Sequence, residues 1–336
     1  MTRSKRPRIV VVTGASAGAG RAVAVAFGKR GDTVALIARG RAGLEGAKTE
    51  VESAGGQALV VPCDVADADA VEAAAERIET ELGPIDVWVN VAMTGVFSYV
   101  KDMKPEEYKR VTEVNYLGFV YGTLSALRRM LPRDSGRIIQ FGSALAYRGI
   151  PLQSAYCGSK HAIQGFCDSL RAELLSENSK VTVSMVQMPA INTPQFDWLR
   201  TRMPRKAQPV PPIFQPEIPA AAILYAADTG RREILVGAST WVAVWGNNIL
   251  PAVGDWYLAK TGINGQMTGQ AQPADAPDNM FHPLDDDRDW GMHGRFDDRA
   301  RTTSWQLPLD EHRALFAGAL AVAAAGVWGL SRALRK

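Results

Sequence analysis

The chain has 336 residues, of which 46% are hydrophobic and 22% charged, and its formal net charge is +3. This apolar fraction excludes disorder of the whole chain, and the length allows two domains or one large α/β domain with an appendage. The 38 basic and 35 acidic residues nearly cancel, so no bulk positive field indicates a nucleic-acid partner. The three cysteines form neither a disulfide framework nor a metal-binding pair, which favours a reduced, cytoplasmic setting.

Seven short runs rich in β-branched residues alternate with alanine-rich helical stretches between residues 9 and 237. The strand-like runs are Ile9–Thr13, Thr33–Ala38, Ala58–Pro62, Ile85–Val89, Arg137–Phe141, Val181–Val186 and Glu233–Val236. Their nearly continuous apolar character indicates burial on both faces, as in a parallel sheet. The alternation predicts an α/β fold, a Rossmann-type doubly wound parallel sheet of about seven strands flanked by helices.

The first predicted strand leads into a glycine-rich turn that opens a helix. Glycine lets the backbone turn tightly and approach a pyrophosphate, whose charge a helix N-terminus favours. Such a turn needs glycine in any case, but the strand before it and the helix after it favour a nucleotide site. The cofactor-binding residues predicted in this turn are Gly14, Ser16, Ala17, Gly18, Ala19 and Gly20.

The end of the second predicted strand bears on which dinucleotide binds. An NAD site usually has an acidic side chain there for the ribose 2′-hydroxyl, whereas this chain has Ala38 followed by Arg39. The arginine could be a solvated strand end, yet without a neighbouring carboxylate it suits a 2′-phosphate and favours NADP(H). Asp64, after the third strand, could cap the next helix or hold the adenine amino group.

A tyrosine and a lysine, Tyr156 and Lys160, lie four residues apart in a helical pattern and therefore share one face. A neighbouring ammonium favours the phenolate, which brings the tyrosine pKa from about 10 nearer to the working pH. A Tyr-x-x-x-Lys match is often a chance surface pair, but Ser143 lies upstream at the end of the fifth strand. Ligands bind at the carboxyl ends of strands in this architecture, so the three residues predict an acid–base site.

Taken together, these motifs resemble the short-chain dehydrogenase/reductase family over residues 8–240, in its NADP(H)-dependent branch with TGxxxGxG and YxxxK motifs. The resemblance implies reversible hydride transfer between NADP(H) and a carbonyl or secondary alcohol. It implies that Tyr156 exchanges the proton and Ser143 holds the substrate oxygen. Lys160 would lower the tyrosine pKa and orient the nicotinamide ribose, and Asn115 would hold a relay water. The resemblance also allows a homo-oligomer.

The same resemblance implies further cofactor contacts, from Val65, Asn90, Ala92, Pro189 and Thr193. Two departures fall on this cofactor side, because Met93 and Ala190 stand where the family has glycine. They leave the acid–base residues intact. They also support an alternative function, a catalytically weak or inactive NADP(H)-binding sensor or scaffold at a membrane. An epimerase or dehydratase is a third interpretation, although the glycine spacing fits the dehydrogenase branch better.

Residues 194–216 are expected to form a lid over the site. The candidate wall residues for a bulky apolar substrate are Phe97, Leu145, Tyr147, Phe196, Trp198 and Phe214. A stiff, solvated surface loop is the alternative for this segment. The four histidines form no zinc pattern, so no metal is predicted.

Three segments follow the enzyme domain of residues 8–240. They are predicted as a packed helical extension (241–261), a polar and partly irregular linker (262–312) and an apolar C-terminal helix (313–336). Residues 314–331 carry no charge, and as a helix they would extend about 27 Å, close to a bilayer core of about 30 Å. The segment is therefore a candidate membrane anchor, with packing on its own domain or on a partner subunit as the alternative.

Overall fold

The computed structural model describes residues 6–305, and within them seven strands form a parallel sheet. These strands are β1 (Ile9–Thr13), β2 (Thr33–Ala38), β3 (Gln57–Pro62), β4 (Val87–Asn90), β5 (Arg137–Phe141), β6 (Thr182–Gln187) and β7 (Glu233–Leu235). Their order across the sheet is β3-β2-β1-β4-β5-β6-β7, and every neighbouring pair is parallel. The chain thus winds outward on one side of β1 and then on the other, which confirms the predicted doubly wound sheet.

Helices cover both faces of the sheet. They are α1 (Gly18–Gly28), α2 (Arg41–Ser53), α3 (Ala68–Leu82), α4 (Pro105–Thr112), α5 (Gly118–Met130), α6 (Ser154–Ser176), α7 (Gln195–Trp198), α8 (Glu217–Thr229), α9 (Ala238–Ile249) and α10 (Pro251–Thr261). A π-helical turn, Glu113–Leu117, joins α4 to α5. Short 3₁₀ turns occur at Val100–Asp102, Leu131–Arg133, Ala144–Ala146 and Asn264–Gln266.

The core lies between the sheet and its two helical layers. The β1 side chains Val10, Val11 and Val12 are fully buried, because α1 and α8 pack together on one face while α3 and α5 pack together on the other. Continuous apolar strands are the sequence signature of this double burial. The arrangement leaves the carboxyl edge of the sheet free for loops, and the functional motifs follow the strands at that edge.

The segment after β6 is built from short paired strands. Arg200–Thr201 pairs with Val96–Phe97, Arg205–Ala207 pairs with Met267–Ala271, and Ile213–Phe214 lies between Ala190–Ile191 and Ala300–Arg301. Residues 262–305, called the arm below, therefore return to the domain and pair with the lid segment. The helices α9 and α10 lie between the lid and the arm in the chain.

The predicted membrane anchor, residues 314–331, lies outside the described residues, as does the rest of 306–336. Among residues 6–305, no helix combines the length and the apolar character that crossing a bilayer requires.

Candidate active site

A cavity of about 590 Å³ opens at the carboxyl edge of the sheet. The predicted site residues that line it are Gly14, Ser16, Ala17, Gly18, Ala19, Gly20, Arg39, Asp64, Val65, Ala92, Ser143, Tyr156, Lys160, Pro189 and Thr193. Two predicted residues, Asn90 and Asn115, do not line it. Motifs separated by up to 180 residues in the chain thus meet at one site.

Close backbone approaches explain the glycines of the turn between β1 and α1. Gly14 has φ +69°, and a Cβ there would lie 2.8 Å from the Ala92 Cα atom; a Cβ on Gly20 would lie 2.0 Å from the Gly14 carbonyl oxygen. The Thr13 hydroxyl accepts hydrogen bonds from the backbone N–H groups of Val91 (3.0 Å) and Ala92 (3.2 Å). The ends of β1 and β4 are therefore fixed against each other beside the first turn of α1. The Gly18 N–H of that turn donates to the Gly291 carbonyl (3.0 Å), so an anion would meet the amides that follow it.

Three side chains form the acid–base site. Tyr156 and Lys160 lie on α6, and Ser143 directly follows the turn after β5. The Lys160 ammonium donates a 2.7 Å hydrogen bond to the Phe141 carbonyl oxygen and lies 5.5 Å from the centre of the Tyr156 ring. It also lies 4.6 Å from the centre of the Phe119 ring, which stabilises a cation in a buried place.

Burial controls the protonation of this site. It raises the pKa of Tyr156 above its ordinary value, against the smaller opposite effect of a hydrogen-bonding interaction with Ser143. Burial also lowers the pKa of Lys160 to about 7, so only a fraction of the Lys160 amine is protonated near neutral pH. A cation bound beside the phenol would oppose the effect of burial on Tyr156, since it favours the phenolate.

Ser143 is positioned by a buried chain of hydrogen bonds. Its backbone N–H donates to Gln187 Oε1 (2.8 Å), and Gln187 Nε2 donates to Glu233 Oε1 (2.8 Å). The same carboxylate oxygen accepts a 2.5 Å hydrogen bond from the Tyr147 hydroxyl. Tyr147 does not line the cavity, so its prediction as a substrate-wall residue is wrong. Neither Gln187 nor Glu233 stood out in the sequence, because a glutamine in a buried strand matches no motif.

The two asparagines outside the cavity support its framework. Asn115, in the π-helical turn, accepts a 2.8 Å hydrogen bond from the Thr94 N–H and donates one of 2.8 Å to the Thr94 carbonyl. Asn90 accepts from Trp88 Nε1 (2.8 Å) and donates to Gln140 Oε1 (3.0 Å). Both side chains are fully buried, so Asn90 has no contact surface to offer a cofactor.

Unpaired hydroxyls on the cavity wall test whether a dinucleotide fits. The Thr193 hydroxyl is buried and has no hydrogen-bond partner within residues 6–305, and the same holds for Thr94 and Ser239. All three residues line the cavity. Since a buried hydroxyl without a partner is unfavourable, a ligand rich in amide, hydroxyl and phosphate groups suits this wall. The residues present therefore fit a nicotinamide dinucleotide, with Thr193 available for its carboxamide.

Arg39 follows β2 at the opposite end of the cavity from the acid–base site. Its guanidinium donates to three backbone carbonyls of the arm, those of Asn279, Met280 and Phe281, the last two at 3.4 and 3.2 Å. Burial lowers the pKa of Arg39, while the carboxylates of Asp64 and Asp285 act in the opposite direction. The predicted 2′-phosphate residue is therefore already bonded to a segment that the sequence described only as polar.

Asp64 does not cap α3, because the N-cap of that helix is Asp67, whose side chain accepts a 3.0 Å hydrogen bond from the Ala70 N–H. One carboxylate oxygen of Asp64 accepts a 3.0 Å hydrogen bond from the Ala66 N–H, and the other forms a 2.6 Å ion pair with Arg110. Arg110 in turn donates to the Met280 carbonyl at 3.0 Å, so it ties Asp64 to the arm.

The substrate end of the cavity is apolar. Of the predicted wall residues, Phe97, Leu145, Phe196 and Trp198 line it, whereas Phe214 and Tyr147 do not. The helices α9 and α10 add Ala243, Tyr257 and Leu258, which the sequence did not single out. The Phe97 and Phe196 rings pack edge to face with centres 6.4 Å apart. Such a wall suits an apolar substrate.

Two buried cysteines have raised thiol pKa values. Burial raises the pKa of the Cys63 and Cys167 thiols to about 12, which keeps both protonated at neutral pH. No cluster of three or more histidine, cysteine or acidic side chains in residues 6–305 is arranged to hold a metal ion.

Comparisons with known proteins agree with this geometry. The family described as short chain dehydrogenase matches residues 8–203. The uncharacterized oxidoreductase YxnA of Bacillus subtilis is 30% identical over 296 residues, which cover 86% of this chain and 81% of that protein. Fatty acyl-CoA reductase of Acinetobacter baylyi is 30% identical over 255 residues, covering 74% of this chain and 84% of that protein. A structure of a variant actinorhodin polyketide ketoreductase with NADPH has a TM-score of 0.60 and 26% identity, covering 70% of this chain and 97% of that one.

Proposed function

The chain belongs to the short-chain dehydrogenase family of oxidoreductases, and we propose that it transfers a hydride between NADP(H) and a carbonyl or secondary alcohol of a bulky apolar substrate. The observation that carries this proposal is the meeting of Ser143, Tyr156 and Lys160 on one cavity, whose opposite end contains the glycine-rich turn and Arg39. The NADPH present in the ketoreductase structure supports the choice of cofactor.

The side chains divide the work of proton transfer. The nicotinamide ring, when bound, supplies or accepts the hydride. Tyr156 gives its proton to the carbonyl oxygen during reduction and removes it during oxidation, and Ser143 holds that oxygen by a hydrogen bond. Lys160, anchored on the Phe141 carbonyl, favours the phenolate and orients the ribose. The resemblance gives Asn115 a relay water, but its side chain is fully buried, and in this structure it positions the Thr94 backbone at the cavity wall.

The apolar end of the cavity supports a bulky substrate. Aromatic and aliphatic side chains from the lid and from α9 and α10 close around it, and the cavity is also lined by polar side chains such as Gln153, Gln208 and Gln266. The relative named as a fatty acyl-CoA reductase acts on a substrate with a long apolar chain, which is consistent with such a wall. We therefore expect aldehydes and ketones with extended apolar groups to react better than small polar ones.

The proposal is tested by NADPH oxidation. The purified full chain is incubated with NADPH and a panel of aldehydes and ketones of increasing apolar length, and the nicotinamide absorbance is followed. We expect turnover that rises with apolar length. Tight NADPH binding without oxidation of any substrate would instead favour the sensor or scaffold function.

Replacing Arg39 tests the cofactor preference. We expect Arg39→Ala to weaken NADPH binding about 10- to 100-fold, because the 2′-phosphate loses its charged partner. The substitution also removes the bonds of Arg39 to the arm, which affects both nucleotides, and NADH binding should change by less than about threefold. The dissociation constants are measured by fluorescence titration. Arg41→Ala is the matched control, since Arg41 is exposed and its side chain makes no hydrogen bond or ion pair with residues 6–305. Equal losses in the two variants would show that Arg39 acts through bulk charge alone.

Membrane association through residues 314–331 is part of the proposal. It is supported by exposed aromatic side chains on α9 and α10, namely Trp241, Trp245, Trp256 and Tyr257, since Trp and Tyr favour membrane interfaces. We expect the full chain to sediment with membranes and a chain ending at Asp310 to shift largely to the soluble fraction. If both chains stay soluble, the anchor hypothesis is wrong, and a difference in oligomer size between them would indicate packing on a partner subunit.

A further inference from the structure

The arm caps the N-terminus of α2, the helix that follows Arg39. The backbone N–H of Arg41 donates to Asp286 Oδ1 (3.0 Å), that of Ala42 to the Asp286 carbonyl (3.1 Å) and that of Gly43 to the Asp285 carbonyl (2.9 Å). These bonds satisfy amides that have no partner inside the helix. They use the Asp286 side chain and two backbone carbonyls, so the Asp285 carboxylate is not needed for capping.

The Asp285 residue is only 8% exposed, and its carboxylate accepts no hydrogen bond from residues 6–305, although its charge acts on the neighbouring Arg39 guanidinium. It lines the cavity and fills a recess that two glycines leave open. A Cβ on Gly40 would lie 2.0 Å from Asp285 Oδ1, and one on Gly43 would lie 3.1 Å from Oδ2. A carboxylate that lines a ligand cavity and accepts no hydrogen bond from the protein residues described is placed to accept one from a ligand.

We propose that Asp285 contacts the 2′ position of the adenosine ribose and is, with Arg39, a determinant of cofactor preference. This inference rests on the proposed function. The carboxylate lies at the end of β2, where an NAD site carries its acidic residue, but it reaches that place from the arm. It can accept a hydrogen bond from a 2′-hydroxyl and repels a 2′-phosphate, whereas Arg39 attracts the phosphate. The preference for NADP(H) is therefore smaller than Arg39 alone would give.

Contacts on both sides hold this part of the arm in place without the Asp285 side chain. The Gly18 N–H donates to the Gly291 carbonyl at 3.0 Å, and the buried Arg21 guanidinium forms an ion pair with Asp289. The carbonyls of residues 279–281 accept the Arg39 guanidinium on the other side. Because the capping bond of Asp285 comes from its backbone carbonyl, Asp285→Asn should leave the arm in position.

The test measures dissociation constants of NADPH and NADH for the full chain by fluorescence titration, without any substrate. We expect Asp285→Asn to raise the ratio of NADPH affinity to NADH affinity by about tenfold, because the charge that repels the phosphate is lost. Asp287→Asn is the matched control. It removes the same charge two residues away, at an exposed position, and should change the ratio by less than about twofold.

Two further variants separate the charge from the shape of the side chain. Asp285→Glu retains the carboxylate in a recess too small for it, so it should not raise the ratio, whereas Asp285→Ser should raise it as Asn does. If Asp285→Asn changes the ratio no more than Asp287→Asn while both nucleotides bind, the inference is overturned and the proposed function stands. If the unmodified chain binds neither dinucleotide, both are overturned.

Discussion

Tyr156→Phe should lower kcat/KM for carbonyl reduction about 1,000-fold and leave the dissociation constant of NADPH within about threefold of its original value. The substitution removes the hydroxyl that we propose gives its proton to the substrate oxygen, while the ring beside Lys160 remains. Binding and chemistry therefore separate, and steady-state kinetics together with fluorescence titration measure each of them.

The pH profile adds a second readout for the same substitution. Reduction requires a protonated phenol, so its rate should fall as the pH rises through the pKa of Tyr156, and alcohol oxidation should rise over the same range. Because burial raises this pKa, reduction should continue well into the alkaline range. The residual activity of Tyr156→Phe should lack this limb.

Tyr121→Phe is the matched control, since Tyr121 lies on α5 and does not line the cavity. It should change kcat/KM by less than about twofold. A Tyr156→Phe enzyme that retained more than about a tenth of its activity would exclude Tyr156 as the main proton donor.

The sheet could be predicted from the sequence because its signal is local. A strand buried on both faces must be apolar throughout, and the predicted boundaries of Ile9–Thr13, Thr33–Ala38 and Arg137–Phe141 agree with the structure. The cavity could be anticipated for a related reason. In a doubly wound parallel sheet the carboxyl ends of all strands lie at one edge, so motifs that directly follow strands must lie close together there.

The arm could not be predicted in the same way. Its bonds join residues far apart in the chain, such as Arg39 and Met280, which are 241 positions apart, and several of them use backbone carbonyls that carry no sequence signal. The acidic run at residues 285–287 was visible, but only the fold shows that Asp285 is buried while Asp287 is exposed. Composition indicated a polar segment, and the geometry of its contacts depends on the domain that it covers.

Lys160→Met should have two opposite effects, a loss of activity of at least about 100-fold and a gain in the free energy of unfolding. Burial lowers the pKa of Lys160 from 10.5 to about 7, so folding is penalised whenever the lysine is charged in the unfolded chain. Methionine has a similar length and no charge, although its introduction leaves the Phe141 carbonyl without a donor, which offsets the gain by about 1 kcal/mol. A net gain on the order of 3 kcal/mol at pH 6 is expected.

The sign of the pH dependence follows from proton binding. Between pH 7 and 10.5 the unfolded chain binds more protons at Lys160 than the folded chain does, so the stability of the original protein rises with pH in that window. The methionine variant lacks this contribution. Its advantage in urea unfolding should therefore be largest at or below pH 7 and should shrink as the pH approaches 10.5.

Lys109→Met distinguishes burial from a general effect of removing a lysine, because the Lys109 side chain is 77% exposed on α4. This control should change stability by less than about 0.5 kcal/mol at any pH. A destabilising effect of Lys160→Met at pH 6 would contradict the prediction. It would mean that the Phe141 carbonyl and the Phe119 ring together offset the whole cost of burying the Lys160 charge. A stability gain that fades with rising pH, together with lost turnover, would show that the fold keeps an unfavourable buried lysine for the chemistry of Tyr156.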